Sequence, residues 1–390
     1  MVGVVATAAN RGPGKPLDDR PIFRRYLPAR LFLSEPFRSA SSLSVTMSIR
    51  VGILGATGAV GQRLVQLLDP HPDFEIAALT ASGDSAGKSY HEAAKWGLDF
   101  PIPDSVGEMT VRETAANHIP NDVPLLFSSL PSSVGEAVEP GLAEAGYVVS
   151  SNSSNSRMAA DVPLVIPEVN AEHVDLIEVQ RDQRGWDGAL LKNPNCSTIT
   201  MVPTLAALDE FGLERVHVST LQAVSGAGYS GVSSMEILDN AIPHIGGEEE
   251  KMEDESRKLL GGFDGAELDL HGMEVSASCN RIATLDGHLE NVWADTAEDV
   301  TAESAAAAMA EYPSADLPSS PAPLIHAFED PERPQPRLDR MLGDGMAVSA
   351  GGFRETAEGV QYNCLSHNTL RGAAGASVLN GELLAREGYL

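Results

Sequence analysis

The 390-residue chain predicts an α/β protein in two parts: an N-terminal doubly wound parallel sheet, then an α+β part whose sheet is mostly antiparallel. Three observations carry this. Near the front, Ile49-Arg-Val-Gly-Ile-Leu54 leads through a glycine-rich turn into an amphipathic run and then a second apolar run, the pattern of a βαβ unit. Short apolar runs continue to alternate with helical patterns up to about residue 195. Beyond it, long segments alternate apolar and polar residues, as strands do when one face is solvated or interfacial.

Taken in order, residues 1–46 carry seven basic and three acidic side chains, several prolines and no sustained period. They contain no apolar stretch followed by a cleavage site. The segment reads as a disordered extension, or as the result of an upstream start codon with Met47 as the true beginning. Residues 47–195 form the first domain, with strands expected over 49–54, 74–79, 125–127 and 147–149 and a helix over 133–145. The turn Gly55-Ala56-Thr57-Gly58-Ala59-Val60-Gly61 makes this domain Rossmann-like, because its backbone can approach a pyrophosphate at the positive end of the following helix. Residues 196–364 form the second domain: a helix over 199–210, strands over 216–224 and 273–281, an acidic, alanine-rich surface helix over 301–312 and a proline-rich loop over 330–336. Residues 365–390 supply a last helix, over 369–386, that returns to the first domain.

A formal charge of −28, from 55 acidic against 27 basic residues, repels nucleic acid and anionic membranes. Only six of the basic residues are lysine. The acidic residues are spread over helices and loops, which points to a surface adapted to a salt-rich cytoplasm, where salt screens self-repulsion. No apolar run reaches the roughly 20 residues of a membrane-spanning helix. Cys196, Cys279 and Cys364 are too few and too widely spaced for a disulfide framework, and no CxxC pair points to a metal.

Cys196 lies in Lys192-Asn-Pro-Asn-Cys-Ser-Thr, just before a helical run, where the helix dipole is expected to lower the thiol pKa. Cys279-Asn-Arg281 and Asp286-Gly-His288 occupy one strand-and-turn segment. The Arg281 fork suits a carboxylate and the His288 ring suits acid/base work on a thiol. In Gly246-Gly-Glu248-Glu-Glu-Lys251 the first glutamate and the lysine share a helix face and can hold an ammonium and a phosphate. At the second strand's end, Thr80 and Ser82 offer hydroxyls to a 2′-phosphate, which favours NADP over NAD, with Asp84 an awkward neighbour and Lys88 an offset.

These motifs, with Gln222-Ala-Val-Ser-Gly-Ala-Gly-Tyr229 and Asn368…Gly372-Ala-Ala-Gly375, stand in the order of the archaeal and fungal branch of aspartate-semialdehyde dehydrogenases, which the chain resembles from about Ser48 to its end. The resemblance implies NADPH-dependent reductive dephosphorylation of L-aspartyl 4-phosphate to L-aspartate 4-semialdehyde, feeding lysine, threonine and methionine synthesis. It implies Cys196 as nucleophile, His288 as acid/base and Gln222 as orienting residue. Arg281 would bind the substrate carboxylate, Glu248 its ammonium, and Lys251 with Arg157 the phosphate. Cofactor contacts would come from Gly55 to Val60, Thr80, Ser82, Ser128, Ser129, Leu130, Ser225, Gly226 and Asn368. The second domain would be catalytic and dimerising, in a homodimer or homotetramer. Asp84 departs from the branch, whose members often carry a basic residue nearby.

Two alternatives compete. A relative reducing malonyl-CoA or N-acetylglutamyl phosphate has no use for a compact phosphate clamp or for an ammonium site, respectively. A non-catalytic nucleotide-binding scaffold predicts decay at the thiol, the imidazole or the anion clamps, and every one of them is present.

Overall fold

In the computed structural model, which describes residues 48–390, the β-forming runs of the first part pair only in parallel. The extension read over residues 1–46 lies outside the described residues. The strands β1 (Ile49–Leu54), β2 (Phe74–Ala81), β3 (Arg112–Glu113), β4 (Leu125–Ser128), β5 (Val148–Ser151) and β6 (Ala189–Lys192) lie in the order β3-β2-β1-β4-β5-β6. β4, β5 and β6 are buried along their whole length, as strands covered on both faces must be. The order reverses between β1 and β4, so the loops after these two strands open a crevice at their C-terminal ends. Leu64, Val65 and Leu68 of the helix Ala59–Leu68 cover one face with Leu379 and Leu383 of the C-terminal helix Gly375–Arg386, which packs on β4 and β5.

The glycine turn has a steric cause. Gly55 adopts φ +77°, and its N–H and that of Ala56 both donate to the Thr80 carbonyl. A Cβ at Gly61 would strike the Gly55 carbonyl, so glycine there lets the helix fold back against the turn.

The second part contains β7 (Leu213–Gln222), β8 (Ala241–Ile242), a small separate hairpin of β9 (Gly262–Phe263) and β10 (Leu268–Asp269), then β11 (Glu274–Ile282), β12 (His288–Thr296), β13 (Ile325–Phe328), β14 (Val348–Glu355) and β15 (Gly359–Ser366). Seven of these make one sheet, β13-β14-β15-β12-β7-β11-β8. It is mostly antiparallel, as expected, but β7–β11 and β13–β14 are parallel. The physical reason for the first is the long β7–β11 connection, which carries the helix Glu248–Leu259 across to pack on β11 and so returns the chain in the same direction.

One face of this sheet buries Val216, Val218, Val292, Val360 and Tyr362 against Met201 and Leu205 of the helix Thr198–Leu208. The other stays open, with Arg215, His217, Glu274, Ser276 and Trp293 exposed. No helix among the described residues is long and apolar enough to cross a membrane.

Candidate active site

Three neighbouring strands end at one place. On β11, Arg281 is in register with Gln222 of β7, and on the other side of β7 the strand β12 begins at His288, its next residue Leu289 opposite Leu221. The helix Thr198–Leu208 starts beneath this edge and brings Cys196 up to His288, with Sγ 3.3 Å from Nε2. The turn before His288 needs glycine, Gly287 having φ +99°. Asn368 fixes that turn, accepting from the Gly287 N–H at 2.8 Å and donating to the Ser225 hydroxyl at 2.8 Å.

Cys196 lines a cavity of about 410 Å³ whose wall runs from Gly58–Val60 and Ser129–Ser132 on the parallel sheet, past the thiol, to Gln222, Ser225–Gly228, Glu248, Lys251, Arg281 and Arg157. His288, fully buried, is not part of that wall and meets the cavity only through the sulfur. Glu248 lies between Asn195 Nδ2 at 2.9 Å and Lys251 Nζ at 3.0 Å. Gln222 donates through Nε2 to Ser197 and Glu248, which leaves its buried Oε1 without a partner. Arg281 Nη1 donates to the Ala223 carbonyl at 2.6 Å.

The free thiol does not behave as its position in the sequence suggests. Burial, with the Glu248 carboxylate beside it, pushes Cys196 up to about 12, against the opposing pull of Arg281 and Arg157. The Ser197 and Thr198 N–H groups at the helix N-terminus donate to Asn195 Oδ1, at 2.9 and 3.3 Å, and not to the sulfur. Burial, then Arg281 and His367, hold His288 down at about 3. The Ala223 N–H donates to Nδ1 at 3.1 Å, so the neutral ring carries its proton on Nε2, facing the sulfur. The resting pair is therefore thiol and neutral imidazole.

Most residues singled out in the sequence meet at this cavity, and some do not. Thr80 is fully buried, its hydroxyl bonded to that of Thr114 at 2.9 Å, so it braces the sheet end and offers nothing to a 2′-phosphate. Ser128 is likewise buried and donates to Glu139 at 2.7 Å. Ser82 is exposed in the turn after β2, where Lys88 Nζ donates to the Asp84 carbonyl at 2.7 Å. Gly55, Ala56 and Thr57 do not line the cavity, whose wall takes Gly58–Val60 from this turn.

Residues the sequence did not single out hold the site together. Glu139, on the helix Ser132–Glu144, accepts from Ser128, Ser151, Ser153 and, at 2.5 Å, from the fully buried Lys192 ammonium, tying that helix and the ends of β4 and β5 to the strand that leads into Cys196. The expected last helix opens as a π-helical turn, Leu370–Ala374, anchored by the fully buried Arg371–Glu168 pair. This turn brings Gly372 against the nucleophile, and a Cβ there would lie 2.8 Å from the Cys196 Cβ. Gly372→Ala is thus expected to displace the thiol and lower kcat by roughly 10²-fold, the scale of an ångström-sized misplacement, with the melting temperature little changed. Steady-state kinetics beside a melting curve check this.

Comparison with known proteins gives a consistent picture. The family described as "Semialdehyde dehydrogenase, NAD binding domain" matches residues 50–177, and "Semialdehyde dehydrogenase, dimerisation domain" matches residues 205–371. The chain is 49% identical over 342 residues to the aspartate-semialdehyde dehydrogenase of Archaeoglobus fulgidus, covering 87% of this chain and 99% of that one. Among solved structures, the aspartate-semialdehyde dehydrogenase of Candida albicans with NADP is 40% identical with a TM-score of 0.80, covering 88% of this chain and all of that one. Aspartate-semialdehyde dehydrogenase II of Vibrio cholerae complexed with ASA is 27% identical with a TM-score of 0.70, over 87% and 99% of the two chains.

Proposed function

The chain belongs to the aspartate-semialdehyde dehydrogenase family, and from that premise we propose how its residues divide the reaction. It is an aspartate-semialdehyde dehydrogenase and its cofactor is NADP. The dinucleotide fits the crevice at the reversal of the parallel sheet: the helix Ala59–Leu68 has Gly58 as N-cap with no side-chain cap, so its first N–H groups are free for a pyrophosphate. Gly58, Ala59, Val60, Ser129, Leu130, Ser225, Gly226 and Asn368 would hold it, with Ser82 and Lys88 nearest to the 2′-phosphate end. When bound, the nicotinamide exchanges a hydride with the carbon held at Cys196.

In the reductive direction Cys196 Sγ attacks the acyl carbon of L-aspartyl 4-phosphate. The carbon–oxygen bond to phosphate breaks, the phosphate leaves with the thiol proton, and a thioester remains on Cys196. After that carbon has taken up a hydride and its oxygen a proton from solvent, the thiohemiacetal collapses to L-aspartate 4-semialdehyde, the hydroxyl proton passing to His288 Nε2 as the ring gives its own proton to the sulfur. Arg281 holds the substrate carboxylate and Glu248 its ammonium. Lys251 and Arg157 hold the phosphate, and the free Gln222 Oε1 orients the substrate. The observation that carries this is the thiol–imidazole pair at 3.3 Å, with the thiol on the wall of a cavity that also presents three cations, Arg157, Lys251 and Arg281, and one carboxylate, Glu248.

The division into an NADP-binding domain over residues 47–195, a catalytic and dimerising domain over 196–364 and a returning C-terminal helix belongs to the same reading. The enzyme is a homo-oligomer; a homodimer or homotetramer whose subunits meet on the open face of the seven-stranded sheet suits that surface. A cytoplasmic location and a high-salt working range are supported by the charge of −28. The test is NADP reduction by the purified protein with L-aspartate semialdehyde in molar KCl, with and without phosphate and with NAD beside it. Turnover that requires phosphate and prefers NADP is expected; phosphate-independent turnover would remove the acyl-phosphate chemistry.

A further inference from the structure

The helix Glu248–Leu259 presents Glu248, Lys251, Glu255 and Lys258 at spacings of three, four and three, so all four lie along one face. The first two reach the cavity. The other two are deeply buried, each 2% exposed, and belong to no role described so far. Glu255 accepts from Arg157 Nη1 through Oε1 at 2.8 Å and from the backbone N–H of Asn195 through Oε2 at 2.6 Å. Asn195 is the residue before the nucleophile, so one carboxylate joins the cation on the far wall to the chain segment that carries the sulfur. Lys258 donates to the carbonyls of Arg157, Ala159 and Val162 at 2.7 to 2.8 Å, which fixes the backbone from which Arg157 extends. Arg157 is itself only 6% exposed, yet it lines the cavity and its Nε is buried without a partner.

We propose that Glu255 is a positioning residue for phosphate transfer: it locks Arg157 in register with Cys196, so that phosphate is presented to the acyl carbon at a fixed distance. This rests on the phosphate-binding duty given to Arg157 above. The pair as built uses both oxygens of a carboxylate, because the two donors arrive from different directions and each is met by its own oxygen. Glutamine has one. The Asn195 N–H belongs to a rigid, buried backbone and claims that oxygen, since leaving it unpaired is costly and it has nowhere to go. The amide NH₂ then faces the Arg157 guanidinium, donor against donor, and the arginine keeps only the Asn152 carbonyl, which accepts from Nη2 at 2.7 Å, so the guanidinium pivots on one bond and loses its fixed register. Glu255→Gln therefore releases the phosphate arm while leaving the thiol in place.

The two half-reactions separate these effects. Mixing enzyme, NADP and L-aspartate semialdehyde without phosphate forms the thiohemiacetal on Cys196, transfers hydride to NADP and stops at the thioester, giving a burst of NADPH of one per site. Added inorganic phosphate then attacks the thioester carbon, forming the acyl phosphate and returning the thiol. In E255Q the burst is expected to keep its amplitude and rate, while the second-order rate constant for phosphate attack falls at least roughly tenfold, as loss of a charge-assisted hydrogen bond predicts. Because Glu255 acts through Arg157, the double variant R157L/E255Q should be no slower in that step than R157L alone. Glu255→Asp keeps both acceptor oxygens on a shorter arm and should slow the same step by less; it carries the test if E255Q does not fold. Equal loss in both half-reactions, loss in neither, or additive losses in the double variant would each overturn the proposal. An R157L enzyme with normal phosphate attack would overturn the role of Arg157 first, and that of Glu255 with it.

Discussion

Cys196→Ala is expected to lower turnover by on the order of 10⁶, the scale seen when a covalent nucleophile is removed from an otherwise intact site, while NADP binding measured by calorimetry persists. The separation follows from the layout. The thiol sits between the crevice of the parallel sheet and the end of the mixed sheet, and the N–H groups that would receive a pyrophosphate belong to Ala59 and Val60, on a different element. No other thiol can stand in. Cys279 and Cys364 are 1% and 0% exposed, whereas Cys196 is partly exposed on the cavity wall. Iodoacetamide should accordingly label the native protein at Cys196 alone, with substrate protecting it. Substantial turnover in the alanine variant would remove the thioester from the mechanism, and labelling that survives the substitution would place the reactive thiol elsewhere.

What the sequence made legible was chemistry carried by local spacing. The glycine-rich run 55–61 predicts a strand, a turn and a helix, with a local steric reason at Gly55 and Gly61, and the structure has β1, the turn and the helix Ala59–Leu68 in that order. The thiol, imidazole and charged side chains stand in compact motifs for the same reason. Strand direction was less legible: alternation in β7 and β11 predicts a half-buried face but does not distinguish parallel from antiparallel partners, and the crossover helix between them decides. β3, of two residues, is too brief to announce itself, and β6, as long as β4 and β5, reads Ala-Leu-Leu-Lys and carries none of the β-branched or aromatic residues that mark a strand.

In the site, the hidden residues are those whose purpose is a distant partner. Glu139 and Lys192 are 53 positions apart, and Glu255 meets Asn195 across 60. Neither pair has a spacing rule, and burial reverses the ordinary expectation that such charges lie on the surface. Backbone donors are invisible in a sequence altogether, which is why the Ala223 N–H could not be foreseen as the group that sets the tautomer of His288. The same limit explains Thr80 and Ser128, whose hydroxyl chemistry suits a phosphate but whose partners, Thr114 and Glu139, are supplied by the fold.

His288→Ala should lower kcat by roughly 10² to 10⁴, the range for loss of a general acid or base, with the KM for phosphate little changed because Arg157 and Lys251 are untouched. The pH dependence of the native thiol then distinguishes two kinds of resting pair. A preformed thiolate–imidazolium pair would give alkylation rates that level off above the histidine range. Here burial raises the thiol to about 12 and, with Arg281 and His367, lowers the imidazole to about 3. For a thiol whose pKa is raised, the reactive anion is the minor form throughout the working range, and its fraction grows tenfold for each pH unit until that pKa is reached. For an imidazole whose pKa is lowered, the ring stays neutral until the solution falls to about pH 3, so it adds no inflection near its ordinary value. The logarithm of the iodoacetamide rate should rise with unit slope between about pH 6 and 9, with no plateau. His288→Ala should keep that slope but shift the line, since the Nε2–H that faces the sulfur is gone while the burial that raises the thiol remains. A plateau with a midpoint near the ordinary histidine value would mean that the ion pair forms in the free enzyme, and that the Ala223 N–H yields its place on Nδ1 to a second proton.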